Sequence, residues 1–242
     1  IVVGTPGPLM DHLKRKRLDL SQLQFLVLDE ADEMLHHGFQ DELQLILSQT
    51  NPAKRVFLFS ATMPSSILKL AESYMQEYIT IKTEKSKTLA SRTEQLYYEV
   101  HNSEKTDALF RILDLHEAPY SIIFCRTKRD VDAISEKLIH RGYEAEAMHG
   151  DLSQSQRQRV LQKFRQRHCS ILVVTDVASR GLDISGLSHV VNYALPQDAE
   201  SYVHRVGRTG RAGKTGKAIN LLTNAEQRKL GYIKKIAKIL GT

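Results

Sequence analysis

The chain has 242 residues, room for one large domain or two of ordinary size, and its 41 % hydrophobic and 26 % charged content describes a soluble globular protein. Its longest apolar runs, such as Ser170–Thr175, are strand-length, which excludes a membrane span, and no cleavable signal pattern opens the chain. The net charge of +6 is uneven: residues 1–95 hold 11 Lys/Arg against 12 Asp/Glu, residues 96–242 hold 23 against 16, and the basic excess of the second part suits a polyanionic partner.

In chain order, the sequence opens on a strand-like Ile1-Val2-Val3 with no initiator Met, the pattern expected of a fragment. Strands are predicted over Gln24–Leu28, Arg55–Phe59 and Tyr78–Lys82. Residues 82–92, KTEKSKTLASR, are polar and small with little apolar periodicity, and read as a linker between two α/β units. Beyond it, strands are predicted over Gln95–Val100, Ser121–Cys125, Ala145–Met148, Ser170–Val174, His189–Tyr193 and Lys217–Leu222. Between them, Lys128–Arg141 places Val131, Ile134 and Leu138 on one helical stripe, and Ser153–His168 does the same with Val160, Leu161 and Phe164. Buried-type strands alternating with helices point to a parallel sheet with helices on both faces. Asn224–Leu240 reads as an amphipathic helix packed on the second unit. Cys125 and Cys169 sit beside apolar runs without metal-ligand spacing, so buried free thiols in a reducing cytoplasm are expected.

Ligands of a doubly wound sheet collect at the carboxyl ends of its strands. Asp29-Glu-Ala-Asp32 falls there, directly after the apolar run Phe25–Leu28. A carboxylate at that edge can hold Mg²⁺ through water, and its neighbour can take a proton from an attacking water. The same acids also suit a helix N-terminus, and both readings stand on these four residues alone. Ser60-Ala-Thr62 follows the next strand; its hydroxyls either bond the acidic cluster or cap the helix that Pro64 begins.

Arg205, Arg208 and Arg211 recur every three residues with Gly207 and Gly210 between them. Three adjacent guanidiniums repel one another, so they suit a partner with several anionic oxygens, which means phosphate. Thr175–Asp183 offers a hydroxyl, two carboxylates and an Arg-Gly pair after another buried strand. His149-Gly-Asp151 with Gln154 and Arg157 flanks a helix start, where N–H groups and an Arg can hold phosphate. Capping and loop roles stand beside the functional ones at each of these edges.

With these motifs in order, Thr5-Pro-Gly7, Asp29–Asp32, Ser60–Thr62, Ile122–Thr127, His149–Arg157, Thr175–Asp183 and His204–Arg211, the chain resembles a DEAD-box RNA helicase of superfamily 2, in the style of bacterial-type members. The resemblance implies two RecA-like parallel-sheet domains. Residues 1–82 are the C-terminal part of the first (ATP-binding) domain, 83–94 the linker, and 95–242 the second (helicase C-terminal) domain with its terminal helix. It implies a cytoplasmic enzyme that couples ATP hydrolysis, with Mg²⁺, to local unwinding of RNA duplexes, with no membrane role.

By the same resemblance Asp29 would hold the Mg²⁺ shell and Glu30 would activate the hydrolytic water. Asp32, Ser60, Thr62 and His204 would couple the ATP site to RNA binding. Asp183 would meet the ribose, and Arg208 and Arg211 would reach the phosphates as arginine fingers. Thr5, Gly7, Thr127, Gly150, Arg157 and Thr175 would grip the RNA backbone, with little sequence preference. One departure is Pro8, where the family usually carries Arg.

No stretch of the 242 residues fits G-x-x-x-x-G-K-[ST]. Gly213-Lys-Thr215 lacks the Gly five positions earlier and leads into a predicted strand, so it reads as a polar turn. The phosphate cradle, with the family's glutamine motif and early RNA motifs, is therefore expected upstream, in a sequence truncated before or within motif Ib, and the chain alone is expected to be inactive on ATP. The alternative is a non-catalytic RNA-binding module built on the second domain.

Overall fold

A computed structural model describes residues 1–36, 38–75, 77–82, 93–116, 119–179, 184, 186–210 and 214–231. The chain divides into two compact units, residues 1–82 and 83–242. The expected linker lies outside the described residues save for Thr93 and Glu94, which begin a strand instead.

In the N-terminal unit the elements are α1 (Pro6–Lys14), β1 (Phe25–Leu28), α2 (Ala31–His36), α3 (Gln40–Ser48), β2 (Arg55–Leu58) and α4 (Ser65–Tyr74). β1 and β2 pair in parallel, Phe25 opposite Arg55 through Leu28 opposite Leu58. Side chains alternate along a strand, and the two faces here have opposite fates. Leu26, Leu28, Val56 and Leu58 pack with Ala31, Leu43, Leu47, Ile67 and Leu70 into one core. Phe25, Val27, Phe57 and Phe59, on the other face, are 57, 58, 45 and 56 % exposed. Neither Ile1–Val3 nor Tyr78–Lys82 forms a strand. Both have β-type residues, but pairing needs a ladder partner, and Ile79 and Ile81 stay 89 and 86 % exposed.

The C-terminal unit follows the predicted alternation closely: β3 (Thr93–Glu99), α5 (Lys105–Leu115), β4 (Ser121–Phe124), α6 (Lys128–His140), β5 (Ala145–Met148), α7 (Gln154–Arg165), β6 (Ile171–Val174), the single turn α8 (Asp176–Ser179), β7 (His189–Asn192), α9 (Ala199–Val206) and β8 (Gly216–Leu222). The six strands form one parallel sheet in the order β3-β8-β7-β4-β6-β5. Two cores sandwich it. Leu109 and Leu113 of α5 and Val131, Ile134 and Leu138 of α6 cover Ile123, Val173, Val191 and Ile219. Val160 and Phe164 of α7 cover Ile122, Phe124, Leu172 and Val190 on the opposite face. Every residue of β4, β6 and β7 is buried, as a sheet covered on both faces requires.

Local chemistry fixes the helix starts. Thr127 caps α6 and Ser153 caps α7, each in a reciprocal capping box with the residue three positions on, Asp130 and Gln156. Each cap is worth about 1 kcal/mol. Gly216 opens β8 against Thr209, whose Oγ would sit 1.9 Å from any Cβ at that position. Both cysteines are buried free thiols, as expected, and burial pushes Cys125 to about 12 and Cys169 to about 11. The tail continues past β8 in a short 3-10 turn, Asn224–Glu226. Of the expected helix, residues 227–231 are helical, and the remainder from 232 onward lies outside the described residues. Among the described residues no helix is long and apolar enough to cross a membrane.

Candidate functional site

Within the N-terminal unit the acidic edge forms because the chain must leave β1 and enter α2 in two residues. Phe59 N–H donates to Leu28 O (2.8 Å) and Ala31 N–H to Phe59 O (3.1 Å), so the sheet holds both ends of the turn. Glu30 takes a left-handed φ of 50°, unusual for a residue with a side chain. Asp29 and Glu30 are exposed, and among the described residues Asp29 Oδ1 accepts only the neighbouring Glu30 N–H (3.0 Å).

Asp32 differs: it is 3 % exposed and tied to the loop after β2. Its Oδ2 accepts from both Thr62 N–H (2.7 Å) and Thr62 Oγ1 (2.9 Å). Ser60 Oγ accepts from Asp32 N–H (3.3 Å) and donates to Thr62 O (2.6 Å). The hydroxyls thus bond the acidic cluster rather than cap α4, which has no side-chain cap. At the start of α1, Thr5 and Gly7 are exposed, while Pro6 is buried and sets the first helical turn. Pro8, also exposed, adds no side-chain cation to that corner.

In the C-terminal unit Thr127, Gly150 and Thr175 all follow the carboxyl ends of their strands, β4, β5 and β6. Thr127 and Gly150 are exposed and Thr175 is half-buried. Thr127 Oγ1 is held by its capping partner, accepting from Asp130 N–H (3.1 Å) and donating to Asp130 Oδ2 (2.8 Å). Lys128 pairs with Asp151 (2.6 Å), and His149 Nε2 pairs with Asp132 (2.9 Å), which pins the loop around Gly150. Arg157 turns one nitrogen to Ala178 O (3.0 Å), toward β6 and Thr175. His204 lies in the last turn of α9 and Arg208 in the turn after it, both half-buried. Asp183 and Arg211 lie outside the described residues.

One expectation is overturned. Arg205 is not part of a phosphate-facing trio: it is 3 % exposed and fully engaged within the protein. Its Nε and Nη2 fork onto Asp176 Oδ1 and Oδ2 (2.6 and 2.7 Å), and Nη1 donates to Asn192 Oδ1 and Ala194 O (both 2.7 Å). Its guanidinium also lies 4.6 Å over the Phe124 ring. Asp176, the first of the two carboxylates after β6, neutralises this Arg, so the three guanidiniums do not act as one repelling cluster. The signal was present in the buried stripe Ala199, Tyr202, Arg205, Val206, which follows the helical period. Connections leave β4 toward β5 and β7 toward β8, so the order of the sheet reverses between β4 and β7. A doubly wound sheet offers its ligand crevice at such a point; here Arg205 fills it.

The matches to known proteins fit this geometry. Residues 1–70 match the DEAD/DEAH box helicase family and residues 104–213 the helicase conserved C-terminal domain, together more than half of the chain. A probable ATP-dependent RNA helicase of Methanocaldococcus jannaschii is 48 % identical over 239 residues, 99 % of this chain and 64 % of the relative. The DEAD-box ATP-dependent RNA helicase CshA of Geobacillus kaustophilus is 49 % identical over 238 residues, 98 % of this chain and 51 % of the relative. The chain therefore spans about half to two thirds of the length of these relatives. Among solved structures, S. cerevisiae Dbp5 bound to RNA and ADP BeF3 superposes with a TM-score of 0.87 at 32 % identity, over 99 % of this chain and 63 % of that one. The acid edge tied to a Ser-Ala-Thr loop, the paired α/β units and these matches agree: the chain belongs to the DEAD-box family of ATP-dependent RNA helicases.

Proposed function

We propose that this chain carries the hydrolytic acids, the arginine fingers and much of the RNA grip of an enzyme that uses ATP to separate short RNA duplexes. The observation that carries the reading is the division of labour at the end of β1. Asp29 and Glu30 are exposed and, among the described residues, without a cationic partner, whereas Asp32 is buried and bonded to Ser60 and Thr62. Two open acids beside a locked one fit a hydrated cation. Asp29 would hold the Mg²⁺ shell, and bound Mg²⁺ supplies charge neutralisation on the phosphates.

Glu30 takes the proton of the attacking water. Arg208 and Arg211 place positive charge on the phosphates, a contribution worth about 10³–10⁵ in rate in phosphoryl transfer. Asp183 reads the ribose. The Asp32–Ser60–Thr62 network, with His204, transmits occupancy of the nucleotide to RNA held by Thr5, Gly7, Thr127, Gly150, Arg157 and Thr175. The Dbp5 structure, with RNA and ADP BeF3 bound, supports both ligands. The protein acts in the cytoplasm on this reading.

The 242 residues alone hydrolyse no ATP, because they contain no P-loop lysine. Fusing them behind the part of the Geobacillus relative that precedes the matched region tests the assignment. RNA-stimulated phosphate release is expected from the fusion and is abolished by Glu30→Gln; release that survives Glu30→Gln refutes the role of that acid. The unfused chain is expected to bind single-stranded RNA with log K falling by about 0.7 per phosphate contact per log unit of salt. Salt-insensitive binding contradicts a backbone grip.

A further inference from the structure

Among the described residues β5 is an edge strand, paired only with β6, and its outer side opens into a groove of about 380 Å³ between α6 and α7. The groove is lined by Ser135 and Ile139 of α6, by Ala145 and Ala147 of β5, and by Arg159 and Lys163 of α7. In a parallel ladder alternate residues aim both backbone groups at the same neighbour. Glu144 O accepts from Ser170 and Ile171 N–H, and Met148 O accepts from Thr175 N–H, so the even-numbered residues face β6. Ala145 and Ala147 therefore face the groove. Ala145 N–H is spent on Tyr143 O (3.1 Å) and Ala145 is 8 % exposed, so the outward ladder groups without a strand partner among the described residues are the N–H and O of half-buried Ala147.

Three further features mark this edge as a receptor. Ser135 is 4 % exposed, and its Oγ is buried at the groove wall with no hydrogen-bond partner among the described residues. An orphaned hydroxyl costs about 1–3 kcal/mol until something bonds to it. Ile139 is 57 % exposed on the same wall and offers an apolar contact. The opposite wall belongs to a one-sidedly charged stretch: residues 152–175 hold five Lys/Arg and no Asp/Glu. Lys163 is answered by Glu146 (2.5 Å), but Arg159 is exposed with no ion-pair partner among the described residues. The two alanines keep the edge low enough for another backbone to approach.

We propose that the β5 edge is a docking site for an extended peptide of a partner protein, which adds a seventh strand to the sheet and carries acidic residues alternating with apolar ones. The backbone of the peptide pairs with Ala147, an apolar side chain lies on Ile139, and a carboxylate meets Arg159. Strand addition of this kind draws affinity from main-chain bonds and specificity from alternate side chains. RNA fits less well, because it has no ladder of alternating donors and acceptors and half of the cationic wall is already neutralised by Glu146. The groove is also separate from the proposed RNA grip, since Arg157 on the same helix reaches the other way, to Ala178 O.

The test uses the 242-residue chain and fluorescein-labelled octapeptides of alternating Glu-Val and alternating Lys-Val. The Glu-Val peptide is expected to bind saturably and to slow exchange of the Ala147 amide. Ala147→Pro removes only the outward N–H, a change that edge strands accept, and is expected to weaken binding about tenfold or more, as is Arg159→Glu. If Ala147→Pro does not fold, Arg159→Glu and the Ala147 amide decide. Absence of saturable binding, equal binding of the Lys-Val peptide, or indifference to both substitutions overturns the proposal. Displacement of the peptide by decauridylate makes the wall a nucleic-acid surface and overturns it as well. Self-association of the chain that Ala147→Pro abolishes assigns the edge to a second copy instead.

Discussion

The two units are built from the same α/β vocabulary but are clad differently. The C-terminal sheet has six strands with a packed core on each face, and β4, β6 and β7 are buried throughout. The N-terminal sheet has two strands, one packed face, and four large apolar side chains about half exposed on the other. Burial stabilises by about 25 cal/mol per Å² of apolar surface, and a two-stranded sheet is marginal without cover on its faces. In this chain, which spans about half to two thirds of its relatives' length, the unit with fewer described strands holds the acids that the proposed chemistry needs. Order in the acid edge thus rests on a few polar bonds, whereas order in the loops after β4, β5 and β6 of the other unit rests on a deep core.

The largest expected effect is the difference in opening free energy between the sheets. Amides of β4, β6 and β7 should exchange only by global unfolding, and those of β1 and β2 by local opening at least about 5 kcal/mol cheaper. Native-state hydrogen exchange measures both in one sample, and equal protection would break the comparison. Next is the ion pair at the heart of the better-clad unit. Arg205→Met leaves Asp176 without its fork and Asn192 and Ala194 without their donor, and should cost about 3–5 kcal/mol in urea unfolding of that unit. A loss under about 1 kcal/mol would mean that Asp176 relaxes into water.

A smaller, pH-gated effect lies at the amino-terminal end of β7 in the same sheet. His189 is 8 % exposed at the start of β7, with its ring 4.6 Å from that of His116. Burial, then the charges of His116 and Lys217, push it down to about 4. Burial and Lys217 lower His116 too, while Glu94 opposes them. The folded state therefore prefers neutral His189 more than the unfolded state does. Its contribution is intact above the ordinary histidine value of 6.5 and is lost as pH falls toward 4, by roughly 3 kcal/mol across that window. His189→Gln should flatten that part of the stability–pH curve, and an unchanged slope would place the titration elsewhere.

Much of this was legible before any coordinates. The motifs at strand ends, the caps at Thr127 and Ser153 and the alternation of the C-terminal unit follow from local chemistry, so periodicity and spacing disclosed them. Arg205 was misread because neutralisation by Asp176 is a contact across 29 residues that no local pattern encodes. Tyr78–Lys82 was misread for a related reason: β propensity describes what a segment would do beside a partner, and whether a partner stands there is a tertiary fact. The uncovered face of β1 and β2 was likewise hidden, because Phe25, Val27, Phe57 and Phe59 read as core residues on composition alone. The groove beside β5 depends on strand order and was invisible for the same cause.

The smallest effect is the most informative about the acid edge. Thr62 gives Asp32 two bonds to one oxygen, from its backbone N–H and its hydroxyl. Thr62→Val keeps the shape and the N–H bond and removes only the hydroxyl, so the expected loss is about 1 kcal/mol. In a deeply packed unit such a loss would be shared across the core and leave local opening unchanged. In the half-covered N-terminal unit it should fall almost wholly on the turn between β1 and α2, speeding exchange of the Asp32 and Glu33 amides about fivefold while leaving β4 and β6 untouched. If the loss spreads evenly through the N-terminal unit, its single packed face is stronger than the exposure of the other face suggests. Confinement to the turn would show that the Asp32–Thr62 bonds, not the sheet, hold Asp29 and Glu30 in place.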